Sequence, residues 1–275
     1  VLYTDMVRSG AVNLRKNAQT VNELNVFPIP DGDTGENMAR TIEGGIAALA
    51  NVNENDISKV AGVMARGMLL SARGNSGVIL SQFFEGVRKG LEGLEAISVA
   101  ELKVAFSYGV KQAYAAVVQP TEGTILTVMR EACEKAQAVN NASPVEEYFE
   151  VFIDEMYASL ERTPDLLPVL RESGVIDSGG AGFVYIIEGM NRALKGDGSL
   201  DAPTISTEHN GEEAATVTPD DERFNENSSM DFGYCTEVIV QLMKSKVDPE
   251  TYDVKDLVGY LESIGGESIV AFKTG

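Results

Sequence analysis

From residue 1 to about residue 195, apolar side chains recur at helical spacing in one run after another, and no alternating, β-branched segment interrupts them. In TDMVRSGAVNLRKNA, Met6, Ala11 and Leu14 fall near one face. Seven further runs follow: ENMARTIEGGIAALA, DISKVAGVMARGMLLSA, SGVILSQFFEGVRKGLEG, SVAELKVAFSYGVKQAYAAVV, TILTVMREACEKAQAV, PVEEYFEVFIDEMYASLERT and GGAGFVYIIEGMNRAL. Asp56 stands where an N-cap belongs, Ser98 and Glu101 have capping-box spacing, and Pro144 suits a first helical turn. The expectation is an all-α bundle of eight helices.

The connections between these helices are unusual. PDGDTGEN, ARGNSG, QPTEGT and GVIDSGGAG are each rich in Gly, Asp, Ser or Thr, and each leads directly into a helix. Glycine lets backbone approach a ligand, and a helix N-terminus offers unpaired N–H groups with partial positive charge. Four such loops converging at one end of a bundle would form an anion site. The chain as a whole argues the other way. It carries 42 acids against 22 bases, a formal net charge of -20. That field repels nucleic acid and anionic membranes, so neither is expected as a partner. A phosphate ligand here needs metal cations as well as local N–H groups.

Asp31 and Asp33, in NVFPIPDGDTGENM, have three readings. The plainest is a turn with two solvated acids, since Asp-Gly is a common turn dipeptide. A calcium-binding EF-hand loop also begins D-x-D, but its sixth position, Gly, is Glu36 here, and its twelfth, Glu, is Ile42. The third is a magnesium site, in which one or two carboxylates suffice and water and substrate phosphates complete the shell. Pro28 and Pro30 would stiffen the approach to it. ARGNSG reads either as a helix break with Ser76 as N-cap or as a cradle of N–H groups and the Ser76 hydroxyl around phosphate oxygens. The same choice holds for Thr121 to Thr124 and for Asp177 to Gly182. The helical region has neither G-x-x-x-x-G-K-[ST] nor a strand-borne G-x-G-x-x-G, so a nucleotide reading requires a helical nucleotide-binding fold.

Beyond the helices the pattern changes. Residues 196–228 are strongly acidic, with Arg223 as their one base, and read as a flexible linker; His209, the chain's one histidine, lies there in a polar tract. Residues 229–275 offer FGYCTEVIVQL and ESIVAFKT as strands around DPETYDVKDLVGYLES as turn and helix. They are expected to be the start of an incomplete α+β domain, too short for a core of its own. Cys133 and Cys235 lie in dissimilar segments and form no disulfide framework, which makes a reducing cytoplasm the expected location. Cys133 suits core packing. No apolar run reaches membrane-spanning length, the opening VLYTDMVRSG lacks a signal-peptide pattern, and the missing initiator Met suggests that a few residues precede it.

FPIPDGDTGENM, SARGNSGVILSQFF, QPTEGTILTVM and GVIDSGGAGF, in that order, resemble the nucleotide-binding L-domain of dihydroxyacetone kinases. They resemble still more closely the N-terminal domain of the fatty acid kinase A-subunit family, and FGYCTEVIV extends that resemblance into the family's middle domain. The resemblance implies an eight-helix barrel binding ATP at one end, with two Mg2+ ions bridging carboxylates and phosphates. Carried over by position, Asp31 and Asp33 would be metal ligands. Thr34, Gly35, Asn37 and Met38 would line the nucleotide, and Gly74, Asn75, Ser76 and Gly77 would hold phosphates. Thr121, Gly123, Thr124, Asp177, Gly179 and Gly180 would lie near the nucleotide. The dihydroxyacetone kinases carry a third metal-binding Asp just before the pair, where this chain reads NVFPI, so Asn25 or a water must stand in. Their His after the second Asp is Thr34 here; both departures favour the fatty acid kinase branch. That branch implies a phosphoryl donor that works with a separate fatty-acid-binding subunit, a homodimer at full length, and zinc at Cys235 only with ligands beyond this chain. Arg73, beside the phosphate loop, would meet transition-state charge. Two other readings stay open: a dihydroxyacetone kinase-type phosphotransferase subunit, and a nucleotide-binding regulatory module without turnover.

Overall fold

A computed structural model of the chain describes residues 2–50, 52, 54, 56–196, 240, 242–243, 246–248, 251–266, 269–271 and 273. Among these the elements are α1 (Leu2–Glu23), α2 (Thr34–Ala48), α3 (Ile57–Ser71), α4 (Gly74–Gly90), α5 (Val99–Ala116), α6 (Ile125–Ala136), α7 (Val145–Leu166), α8 (Pro168–Ser173), α9 (Ser178–Leu194) and α10 (Val254–Ser263). All eight expected helices form. The short α8 is an addition: Pro168 opens it and Gly174, at φ 66°, closes it. Asp56 caps α3 by accepting the Lys59 N–H at 3.2 Å, and Ser98 with Glu101 makes the capping box of α5. Pro144 stands one position earlier than expected, at the N-cap of α7. The tract 197–228 and Cys235 lie outside the described residues, as does most of FGYCTEVIVQL. Where ESIVAFKT reads as a strand, the described residues form a single antiparallel bridge, Val270 to Val117.

The helices close into a ring. Chain neighbours α1–α2, α4–α5 and α6–α7 pack side by side, and α9 returns to lie against both α7 and α1. Every residue of α9 from Ser178 to Met190 is buried, as an apolar helix enclosed on all sides must be. It can approach α1 closely because glycines meet at the crossing: a Cβ on Gly10 would sit 2.7 Å from the Ile186 carbonyl, and one on Gly189 would sit 2.5 Å from that of Ser9. Aromatic rings fill the centre edge to face, with Phe83 5.0 Å from Phe183 and Phe106 5.1 Å from Phe152. Such pairs add about 1 kcal/mol each beyond the area they bury. Cys133 belongs to this core. The ring thus brings the starts of α2, α4, α6 and α9 to one cavity.

Candidate functional site

That cavity has a volume of about 490 Å³. Its wall draws on all four Gly- and Asp-rich loops: Asn25, Asp31, Asp33, Thr34 and Asn37 from the first, Gly74, Asn75 and Ser76 from the second, Thr121 and Thr124 from the third, and Asp177, Ser178 and Gly179 from the fourth. Asp31 and Asp33 are exposed residues at its mouth. The Asp31 carboxyl is nevertheless pushed up to about 6, first by partial withdrawal from water and then by the charge of Asp33, to which it is hydrogen-bonded. Two carboxyls this close repel when both ionise, and a divalent cation would relieve that repulsion. The pair therefore fits magnesium. No cluster of three or more His, Cys, Asp or Glu side chains suited to a metal occurs among the described residues. That donor set suits an ion that keeps water and takes phosphate oxygens, and it does not suit an all-protein cage.

The first loop is held from behind by α1. The Asn25 side chain is buried; its Nδ2 donates to the Ile29 carbonyl at 2.8 Å, and its Oδ1 accepts from Thr34 Oγ1 at 2.8 Å and from the N–H groups of Asp33 and Thr34 at 3.3 Å. Asn22 Oδ1 accepts the N–H of Gly35 at 2.7 Å and that of Glu36 at 3.2 Å. The first-turn amides of α2 are thus already paired within the protein. Asn25, expected as a stand-in metal ligand, has its oxygen engaged in clamping the loop.

The start of α4 differs. Arg73 occupies its N-cap position and makes no side-chain cap, while Gly74 turns the chain at φ 57°. The N–H groups of Asn75 and Ser76 have no protein acceptor among the described residues. Ser76 lies inside the helix, so it is not the N-cap. The Arg73 side chain is exposed, donates to the Ala72 carbonyl at 2.7 Å and takes no part in the cavity wall.

The third and fourth loops are prebuilt. Thr124 Oγ1 donates to the Thr121 carbonyl at 2.7 Å, and the Gly123 N–H donates to Thr127 Oγ1 at 2.8 Å. Glu122 in the third loop is drawn back onto Arg130 at 2.9 Å and accepts from Thr127 Oγ1 at 2.6 Å. Asp177 caps α9 by accepting the Gly180 N–H at 2.7 Å, and the Ile125 N–H nearby also favours its charged form, which places the start of α9 beside the start of α6. Burial pushes its carboxyl up to about 6.

Besides Arg73, five of the residues carried over to the site do not border the cavity: Gly35, Met38, Gly77, Gly123 and Gly180. They sit behind its wall, where close packing explains them. Met38 is fully buried against Gly182, a Cβ on Gly35 would lie 2.2 Å from the Ala18 carbonyl, and one on Gly77 would lie 2.3 Å from Thr41 Oγ1. Conversely, Asn22, Ser178 and the Glu122–Arg130 pair escaped the sequence reading. Asn22 is a helix-end Asn with no local mark of its role, and the Gly-rich context of Ser178 was the one available signal.

Several known proteins are similar to this chain. Protein YloV of Bacillus subtilis (strain 168) is 41% identical over 253 residues, covering 89% of this chain and 44% of its own length. An uncharacterized protein of Staphylococcus epidermidis is 39% identical over 274 residues, covering 98% of this chain and 48% of its own. The chain thus spans about half the length of the curated relatives it matches. Among solved structures, the dihydroxyacetone kinase from C. freundii in complex with AMP-PNP and Mg2+ superposes with a TM-score of 0.53 at 19% identity, over 69% of this chain and 33% of that one. The shared fold is all-α among the described residues. With the DAK2 domain model matching residues 28–192, the chain belongs to the DAK2 domain family.

Proposed function

We propose that this chain is the ATP-binding, phosphoryl-donating component of a fatty acid kinase, passing the γ-phosphate of ATP to a fatty-acid carboxylate held by a separate acyl-binding subunit to give an acyl phosphate. The observation that carries this reading is the convergence of four loops on one cavity bordered both by an acidic pair and by Asn75 and Ser76, whose N–H groups have no protein acceptor among the described residues. Asp31 and Asp33 would hold magnesium, with Asn25 positioning their loop. Magnesium, when bound, supplies neutralisation of phosphate charge. The Asn75 and Ser76 N–H groups and the Ser76 hydroxyl would take phosphate oxygens, and Thr121, Thr124 and Ser178 would face the same ligand. Arg73 would have to leave the Ala72 carbonyl and swing over the mouth to meet transition-state charge.

A carboxylate acceptor accords with the composition of the helical region. The helical region, residues 1–195, contains no histidine. A carboxylate acceptor is already ionised at neutral pH and needs no general base. Its oxygen attacks the γ-phosphorus while the bond to the ADP oxygen breaks, and positioning with charge neutralisation can supply most of the rate.

Calorimetric titration with ATP and Mg2+ tests the first half of this reading. Binding is expected in the wild type. With Asp31→Ala plus Asp33→Ala it should weaken by more than the roughly 100-fold that loss of an outer-shell metal partner can cost. Equal binding by the double variant would overturn the metal assignment. Trapping of an acyl phosphate when a fatty-acid-loaded partner is added tests the second half; phosphorylation of dihydroxyacetone instead would replace the proposed acceptor.

A further inference from the structure

The cavity has one wall that the four loops do not explain. Glu262, Gly266, Ile269 and Val270, from α10 and the segment after it, border the same space as Asp31 and Ser76. They lie outside residues 28–192, the extent of the family match. Main-chain pairing holds them there: Val270 bridges Val117 in antiparallel fashion, and the Val118 N–H donates to the Ile269 carbonyl at 3.3 Å. The pairing sets Val117, Val118, Ile269 and Val270 side by side, and the apolar Phe27 and Ile29 of the first loop border the same cavity.

We propose that this apolar side seats the base of the nucleotide, and that Gly266, Ile269 and Val270 form one wall of the base pocket, so that docking of these residues and nucleotide binding strengthen each other. The inference rests on the kinase reading above and deepens it. A triphosphate at the acidic pair and the bare α4 amides leaves the apolar remainder of the cavity for a flat heteroaromatic ring, whose faces gain by leaving water. Glu262 fixes the polarity. Its negative charge repels a polyphosphate and tolerates a neutral base. Because binding and docking are linked, each must favour the other by the same factor.

The test uses the full chain with two probes, ATP and inorganic tripolyphosphate, each with Mg2+. Tripolyphosphate has no base and reports on the polar side alone. Ile269→Asp places a charge in the apolar wall. Its side chain lies outside the buried core of the ring, so the fold is expected to survive, with an unchanged thermal transition. ATP should bind the variant about tenfold more weakly, the scale of losing one wall of a ring pocket, with tripolyphosphate unchanged. In the wild type, hydrogen exchange at the Val118 amide should slow on adding ATP and stay the same on adding tripolyphosphate. Unchanged or tighter ATP binding by the variant, equal losses for both probes, or indifferent exchange at Val118 overturns the inference. A wild type that binds neither probe overturns the kinase reading and this inference together, whereas a wild type that binds both beside an indifferent variant overturns the inference alone.

Discussion

Two helices begin at the cavity with opposite treatments of their first turns. At α2, Asn22 and Asn25 reach from the end of α1 and take the N–H groups of Asp33, Thr34, Gly35 and Glu36. At α4, the N-cap residue makes no side-chain cap, and the amides of Asn75 and Ser76 have no protein acceptor among the described residues. An uncapped first turn forgoes about 1 kcal/mol of stability and leaves its N–H groups open to water or to an anionic ligand. The difference assigns labour. Under the proposed function, the capped helix holds two acids in place, and the Asn75 and Ser76 amides of α4 take the anion. In a chain with a net charge of -20, the acids that would otherwise repel a polyphosphate are thereby confined to a rigid spot where a cation can screen them.

If this division is right, variants on the two sides should fail differently. The largest effect is expected from Asn25→Ala, which strands the Ile29 carbonyl and the Thr34 hydroxyl and loosens the Asp31–Asp33 loop. Denaturant unfolding should show a loss of about 2 kcal/mol, accompanied by weaker Mg2+-ATP binding. Next come Asn22→Ala and Ser76→Ala, each expected to remove about 1 kcal/mol, but from different quantities. Asn22→Ala should lower the unfolding free energy and leave nucleotide affinity nearly unchanged. Ser76→Ala should lower nucleotide affinity and leave the unfolding free energy unchanged. If Ser76→Ala instead destabilises the apo protein while ATP binds as before, the bare turn is structural and the contrast disappears.

The smallest signal at neutral pH belongs to Asp177. Its carboxyl is raised by burial to about 6, above its ordinary value of 3.8, so the folded state holds that proton more tightly than the unfolded chain does. The resulting stability is fully present below about pH 4, declines as pH rises to about 6, and is flat above it. Asp31, raised in the same direction, contributes to the same window. Asp177→Asn keeps an acceptor for the Gly180 N–H and should make the pH profile of thermal stability shallower between pH 4 and 6 without flattening it completely. An unchanged profile would mean that Asp177 is solvated in the protein.

Much of the fold was legible because its signals are local. Apolar spacing within each run, Asp56, and the Ser98–Glu101 box mark the helices without reference to any partner. The short α8 was missed because six residues hold less than two turns of pattern, although Pro168 and Gly174 bracket it. The site was legible as a set of loops. It was not legible as a division between wall and packing: Thr34, Asn37 and Ser76 face the cavity while Gly35, Met38 and Gly77, neighbours in the same motifs, face other helices. A helix turns by about 100° per residue, so adjacent motif residues must point different ways, and the ring geometry decides which way is inward.

The amino-acid sequence by itself determined the helices, the acidic pair, and the glycine-rich starts of α4 and α9, since each depends on interactions within a few residues. Tertiary structure alone decided which helix starts remain open, because the capping groups of α2 come from the end of α1. It also decided that Ile269 and Val270 join Val117 and Val118 at the cavity, a pairing between segments some 150 residues apart in the chain. Such contacts form only after the chain closes long loops, and no short-range pattern encodes them.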